Sequence, residues 1–591
     1  MRTTGVTRRI VSIVSASALA LGTVAVAAGA ATAQEPDDSA TVTAAAGGIK
    51  VKWDWTMPTF MKDTKTFVPT QDVNDPDFWS GGSYVAGPDG ITDAKMKQAS
   101  WYKKSGNALY GKVPKNGRFK VALDASGSSG GSGKLTCAWR IEADKTYKKR
   151  SNCSSSTSIM LPEGRHPLWL TVTDADGHSK TVASRIKVQN TLVVIVGDSY
   201  ASGEGIPPFT NPDLRSDPNK RQVAWDYGEC NRSRWGGFVR AAQAIESADA
   251  RSNVTLVDVA CGGAEVRKGW LYNVLGNYPT GGILYPQLHI PYDGLTPTPT
   301  TYAPPQVDQV NAMTRGSTID TMFLSIGGND AGLSEVAGTC ATTPVTENCY
   351  AIRPNLQDLP PGDQVLWELT DDNLVFLEES YDMMAPCFTG DGSCKTWKVK
   401  GTDIATKKTR SAPMALGRSR DVVHAMYPDL TTVEKNGALE PCTFSLTGSP
   451  MNQTDNTWAW EQLYVGESGK TITIASFPGD APPDPAQITP QGNGLLNLVE
   501  RNRDKYGYTA ATSMLWKSRG HGVCAEDEAW EYGTGVVLLP VDKVFNRAAA
   551  LHPNDLGQPQ YEQMLSRIGE KRAGVPVSKP ATHVVSRHGL G

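Results

Sequence analysis

Residues Val193-Val194-Ile195-Val196-Gly197-Asp198-Ser199 constrain the chain more than any other stretch. Four consecutive β-branched apolar residues read as a buried strand. The Gly, Asp and Ser behind them must turn sharply at its carboxyl end, which is where open α/β sheets bind ligands. Glycines at 197, 203 and 205 let the backbone bend and approach a substrate closely. Ser199 then stands exposed with its own amide N–H free to donate, as a candidate nucleophile.

As a bare tripeptide, Gly-Asp-Ser is an ordinary turn. Its company gives it meaning: Ala260-Cys261-Gly262-Gly263-Ala264, Ser325-Ile326-Gly327-Gly328-Asn329-Asp330 and His552-Pro553-Asn554 follow in one order. Together these segments resemble the four blocks of the SGNH (GDSL) hydrolase family. The longer run Gly-Asp-Ser-Tyr-Ala-Ser-Gly-Glu-Gly resembles its secreted actinobacterial esterase and lipase branch. The resemblance spans roughly residues 191–575. It implies a three-layer α/β/α domain around a parallel sheet.

Position by position, the resemblance makes Ser199 the nucleophile and His552 the base. The amides of Ser199 and Gly263 and the side chain of Asn329 become donors to the oxyanion. Each role fits the residue: glycine lets its N–H face a substrate, and an asparagine amide donates without joining the proton traffic. The departure is at the acid. Many family members carry Asp three residues before the histidine, and here Ala549 stands there. Some secreted members run on a Ser-His dyad oriented by a main-chain carbonyl, so the carbonyl of Ala549 is the first expectation, with Asp542 and Asp555 as alternatives. An imidazole needs only a well-placed acceptor to hold its tautomer. Asp198 is expected to cap or brace the turn. Cys230-Asn231-Arg232-Ser233 resembles a Cys-His-Arg-Ser element of the same branch, with Asn replacing His, and reads as a disulfide-tied turn. The other seven histidines, at 166, 178, 289, 424, 521, 583 and 588, are read as surface or structural.

With 591 residues the chain is expected to form more than one domain. Its basic start (Met1 to Arg9), the apolar, small-residue run Ile10 to Ala30 and Ala31-Thr32-Ala33 form a signal peptide pattern over residues 1–33. Losing Arg2, Arg8 and Arg9 with it moves the formal charge from −3 to −6. That balance offers no basic footprint for nucleic acid. No other run is long and apolar enough for a transmembrane segment, so a secreted protein is expected.

Ten cysteines beyond the signal favour disulfides. Neighbours suggest Cys137 with Cys153, Cys340 with Cys349 and Cys387 with Cys394. Cys230 and Cys261 flank the active-site region, leaving Cys442 with Cys524. Without a CxxC pair or histidines at ligand spacing, no metal is expected, and no cofactor.

Residues 34–48 read as a flexible leader, and 49–110 as an extension of unassigned role. Short alternating strands across 111–190 predict a small β-sandwich. Its Asp124-Ala125-Ser126-Gly127-Ser128 and Leu170-Thr171-Val172-Thr173-Asp174-Ala175-Asp176-Gly177 resemble a PKD or Ig-like module, in position to contact a cell wall. The hydrolase domain is expected over 191–575, with an insertion at 334–493 bearing Trp367, Trp397, Trp458 and Trp460, and a polar tail at 576–591. A last strand is expected at Val536 to Pro540. The function expected is hydrolysis of carboxylic esters of acyl lipids or acylated wall material. A carbohydrate O-acyl or acetyl esterase is the alternative, and a wall-binding protein with an inactive hydrolase domain is the reading from another class.

Overall fold

Between Ser179 and Gly197 the chain runs as one 19-residue strand, β1, whose burial changes character midway. Up to Val188 only every second or fourth residue is buried. From Thr191 to Gly197 every residue is. One-sided burial belongs to an antiparallel sheet and two-sided burial to a parallel one, and β1 serves in both. Its first half pairs antiparallel with Gly164–Thr173, Ser179 opposite Thr173 through Val188 opposite Gly164. Its second half lies between two parallel neighbours. The boundary expected near residue 190 therefore falls inside a continuous strand.

The computed structural model describes residues 41–42, 48–57, 109–110, 118–141, 144–206, 230–266, 281–289, 301–314, 317–354, 364–389, 394–400, 403–405, 421–443, 449, 451–465, 494–525, 528–531, 551–554 and 556–573. The signal pattern, Val536 to Pro540, Asp542, Ala549, Asp555 and the polar tail lie outside them.

After β1 come the short helix α1 (Ser199–Ser202), helix α2 (Gly237–Ala248) and strand β2 (Ser252–Asp258). Strands β3 (Thr321–Ser325), β4 (Val422–Ala425) and β5 (Thr509–Ala511) follow, then helix α3 (Gln558–Ala573). The parallel strands lie in the order β2-β1-β3-β4-β5, with Val193 opposite both Leu256 and Thr321. Leu109–Tyr110 adds an antiparallel edge beside β2, so the sheet is mixed. Strand β4 lies inside the stretch 334–493 that the sequence presented as an insertion. That stretch therefore contributes to the central sheet as well as to the helix Leu366–Thr389.

Val193 to Val196 are fully buried among residues of β2, β3 and α2. Each such side chain contributes about 1.5–3 kcal/mol through burial. Helices α2 and α3 pack together: Phe238 meets Tyr561 at 5.3 Å between ring centroids and Phe323 at 6.5 Å. Gly237 permits this approach, since a Cβ there would lie 2.6 Å from that of Tyr561.

A second cluster lies before residue 190. Ile49, Val51, Trp53, Trp55 and Met57 alternate into it with Phe119, Val121, Leu123, Trp139, Leu168, Leu170 and Ile186. Strand Asp54–Thr56 pairs with Arg118–Asp124, which pairs with Thr157–Pro162. Thr136–Ile141 lies between Asp144–Asn152 and Gly164–Thr173. Residues 49–57 thus have a place: alternate positions enter the antiparallel core. Met57 N–H also donates to Ala250 O at 2.9 Å, and Arg251 pairs with Asp54 at 2.9 Å, tying this core to the loop between α2 and β2.

Candidate active site

The strand order reverses at β1, because the chain passes from β2 on one side to β3 on the other. A crevice outside the carboxyl ends of the strands is expected at such a point. Each of the three central strands delivers one singled-out segment there: Gly197-Asp198-Ser199 after β1, Cys261-Gly262-Gly263 after β2, and Gly327-Gly328-Asn329 after β3.

Gly197 has φ +146°, and a Cβ on it would collide with Ser325 O. Only glycine makes this bend beside β3. The buried amide of Gln306 clamps the same residue from both sides, accepting from Gly197 N–H at 2.9 Å and donating to Gly197 O at 2.8 Å. Ser199 then opens α1 and is buried, 7% exposed, where an exposed residue was expected, because α1 packs against β3 and Gly205 comes up against Pro553.

Asp198 is the N-cap of α1 and accepts from Tyr200 N–H at 3.0 Å. Its other oxygen accepts from the Tyr427 hydroxyl, which itself accepts from Gly328 N–H at 2.8 Å. One phenol thus joins the first and third segments. Burial pushes the Asp198 carboxyl up to about 7 against the Tyr427 hydrogen bond. Asp198 is therefore a brace whose charge depends on its surroundings, in keeping with its expected role.

Gly263 adopts φ +71° and is exposed, with Gln287 Nε2 the nearest group to a Cβ placed on it, at 3.9 Å. Gln287 donates to Gly262 O at 2.7 Å, and Gly262 N–H donates to Cys230 O at 3.0 Å. The Cys230–Cys261 disulfide ties the same turn. Asn329 Nδ2 donates to Ala264 O at 2.9 Å, and Asp330 accepts from Val266 N–H at 3.0 Å. The second and third segments are thereby laced together. The Asn329 amide has two N–H groups, so one bond to Ala264 leaves a donor for another acceptor.

His552 lies against the first segment. Its ring is 5.1 Å from that of Tyr200, whose hydroxyl donates to Leu551 O at 2.6 Å. A Cβ on Gly205 would lie 3.1 Å from His552 Cβ and collide with Pro553 O, so glycine is required for the close approach. Asn554 holds the segment from behind, donating through N–H to Trp530 O at 2.9 Å and through Nδ2 to Ala529 O at 2.8 Å. The structure thus brings Ser199, Gly263, Asn329 and His552 to one end of the sheet. Ala549, Asp542 and Asp555 fall outside the described residues. Among the described residues, no group of three or more His, Cys, Asp or Glu is arranged to hold a metal ion.

His424 is fully buried on β4, its imidazole pushed down to about 4 by burial, and His521 stacks on Trp530 at 4.6 Å. His166 and His178 belong to the antiparallel body. The disulfides join Cys137–Cys153, Cys230–Cys261, Cys340–Cys349, Cys387–Cys394 and Cys442–Cys524. Of the four tryptophans named in the stretch 334–493, Trp458 and Trp460 are buried, Trp397 stacks on Tyr285 at 3.9 Å, and Trp367 is exposed.

Sequence reasoning missed Gln306, Tyr427 and Tyr200 as parts of this frame. Tyr427 carried a usable signal: it stands just past the end of a β-branched run, Val422-Val423, where a strand of the sheet delivers residues to the crevice. Gln306 carried none.

No protein-family model matches the chain, and no curated protein does. Among solved structures, a carbohydrate acetylesterase from Xanthomonas citri aligns over 77% of this chain and 72% of its own, at 9% identity and a TM-score of 0.21. A likeness that slight carries no argument about fold or chemistry.

Proposed function

We propose that the protein is a serine hydrolase of carboxylic esters. Ser199 Oγ attacks the ester carbonyl while His552 takes its proton. The oxyanion that forms is met by the amides of Ser199 and Gly263 and by Asn329 Nδ2. Collapse releases the alcohol, protonated by His552, and leaves an acyl-Ser199 ester that water cleaves with the same imidazole as base. The carbonyl of Ala549, or else Asp542 or Asp555, holds the imidazole tautomer. The observation that carries this reading is the convergence of four segments, 197–205, 261–266, 327–330 and 551–554, on the carboxyl end of β1.

The substrate is an acylated molecule outside the cell. Five disulfides suit an oxidising compartment, and the signal pattern at residues 1–33 supplies the route. We take the two antiparallel sheets over one core as the β-sandwich module and assign it contact with the cell wall. The burial of Trp458 and Trp460 withdraws those rings from an acyl pocket and from a sugar alike, so it favours neither a lipid ester nor an acetylated glycan. Release of acetate from acetylated polysaccharide, compared with hydrolysis of esters from acetyl to palmitoyl, separates the two. Faster release from the acetyl sugar would assign the glycan, and a rate that climbs with chain length the lipid ester. A wall-binding protein with no activity would hydrolyse none of them.

A further inference from the structure

One acidic residue of the first segment has no part in the reaction just described. Glu204 follows the left-handed Gly203 that ends α1, and its N–H donates to Ser199 O at 3.1 Å. Its side chain leaves this turn and reaches the second segment. Glu204 Oε1 accepts from Asn231 Nδ2 at 2.9 Å, and Oε2 lies 2.5 Å from where a Cβ on Gly262 would stand. Asn231 is itself held at φ +49°, which few residues other than glycine adopt, and it sits beside the Cys230–Cys261 disulfide. All of this is buried: Glu204 is 5% and Asn231 7% exposed. The carboxyl thus fills the space between the turn that carries Ser199 and the turn that presents the Gly263 amide.

We propose that Glu204, held by Asn231, is a positioning residue that sets the distance between the nucleophile turn and the oxyanion turn. The inference rests on the ester-hydrolase reading. Burial pushes the carboxyl up to about 8, so at neutral pH it is predominantly a neutral acid. Glutamine reproduces that shape and acceptor, and alanine does not. Displacements of about 1 Å at a reacting centre cost on the order of 100-fold in rate, which sets the scale of the effect.

The test compares E204A, E204Q, G262A and the double variant G262A/E204A with the wild type and S199A, using p-nitrophenyl acetate. Each variant is checked for an intact Cys230–Cys261 bond and a cooperative melt. E204A is expected to lose about 10- to 100-fold in kcat, with KM within about threefold. E204Q should restore kcat to within about threefold of wild type. G262A should lower kcat by pushing the carboxyl aside, and the double variant should be no worse than E204A alone. E204A with wild-type kcat would overturn the proposal, as would a folded E204Q as impaired as E204A. Should E204A fail to fold, E204Q and G262A carry the test, and wild-type kcat in a folded G262A would overturn it. Activity persisting in S199A would instead sink the ester-hydrolase reading itself, so the two failures are distinct.

Discussion

Tyr427→Phe removes a single buried oxygen and should reveal how the nucleophile turn is braced. That oxygen accepts from Gly328 N–H at 2.8 Å and donates to Asp198. Phenylalanine keeps the ring contact with Tyr200, 4.8 Å between centroids, so packing is preserved. Two buried polar groups lose a partner, and each orphan costs about 1–3 kcal/mol. We therefore expect a loss of about 3 kcal/mol at pH 8. The hydrogen bond from Tyr427 holds the Asp198 pKa down against burial. Without it the folded-state pKa rises further above 7, and the variant gives up more stability as pH climbs through that range. At pH 5, with Asp198 protonated in both proteins, the deficit should be smaller. Urea unfolding followed by tryptophan fluorescence at the two pH values measures it. A loss below about 0.5 kcal/mol, or one larger at pH 5 than at pH 8, would refute the reasoning.

Three further outcomes follow from the same contacts. Asn329→Ala should lower kcat by about 100- to 1,000-fold, the usual cost of one oxyanion donor, while KM changes little; a loss confined to KM would remove Asn329 from the oxyanion site. Asp198→Asn should cancel a pH dependence. With a folded-state pKa raised from 3.8 to about 7, the wild type loses on the order of 4 kcal/mol from this group between pH 4 and 8, so the variant should gain relative to it across that window, and a flat difference would contradict the burial argument. A chain cut to begin at Leu192 should fail to fold alone, because the cut splits β1 and removes Asn190, whose Oδ1 accepts from Asn253 and Thr255. Soluble, cooperatively melting protein from that truncation would show that the two cores are independent.

The sequence was most legible where a local pattern and a tertiary role coincide. The run Val193 to Val196 lies in an interior strand of its sheet because it has no face for water, and the spacing of apolar residues from Leu495 to Tyr506 matches the helix found there. Three disulfide pairs follow from proximity along the chain, Cys230–Cys261 from its place beside the active-site region, and Cys442–Cys524 as the remaining pair. Three features were hidden. Strand β4 is four residues long amid proline, glycine and charged residues, so it passed for part of an insertion. Residues 49–57 alternate apolar and polar between Gly47-Gly48 and Pro58, a strand pattern whose place shows only in its pairing with residues more than 60 positions away. Buried clamps such as Gln306 and Tyr427 depend on residues more than 90 positions away, which no local pattern reports.

The central claim is that one serine hydroxyl is made nucleophilic at the end of β1, and covalent capture tests it most directly. The protein is treated with a fluorophosphonate, digested, and the adduct located by mass spectrometry. The account predicts a single phosphonylated residue, Ser199, with labelling abolished in Ser199→Ala and at least about 100-fold slower in His552→Ala. An adduct on another residue, or Ser199 labelling at the same rate without His552, would contradict it.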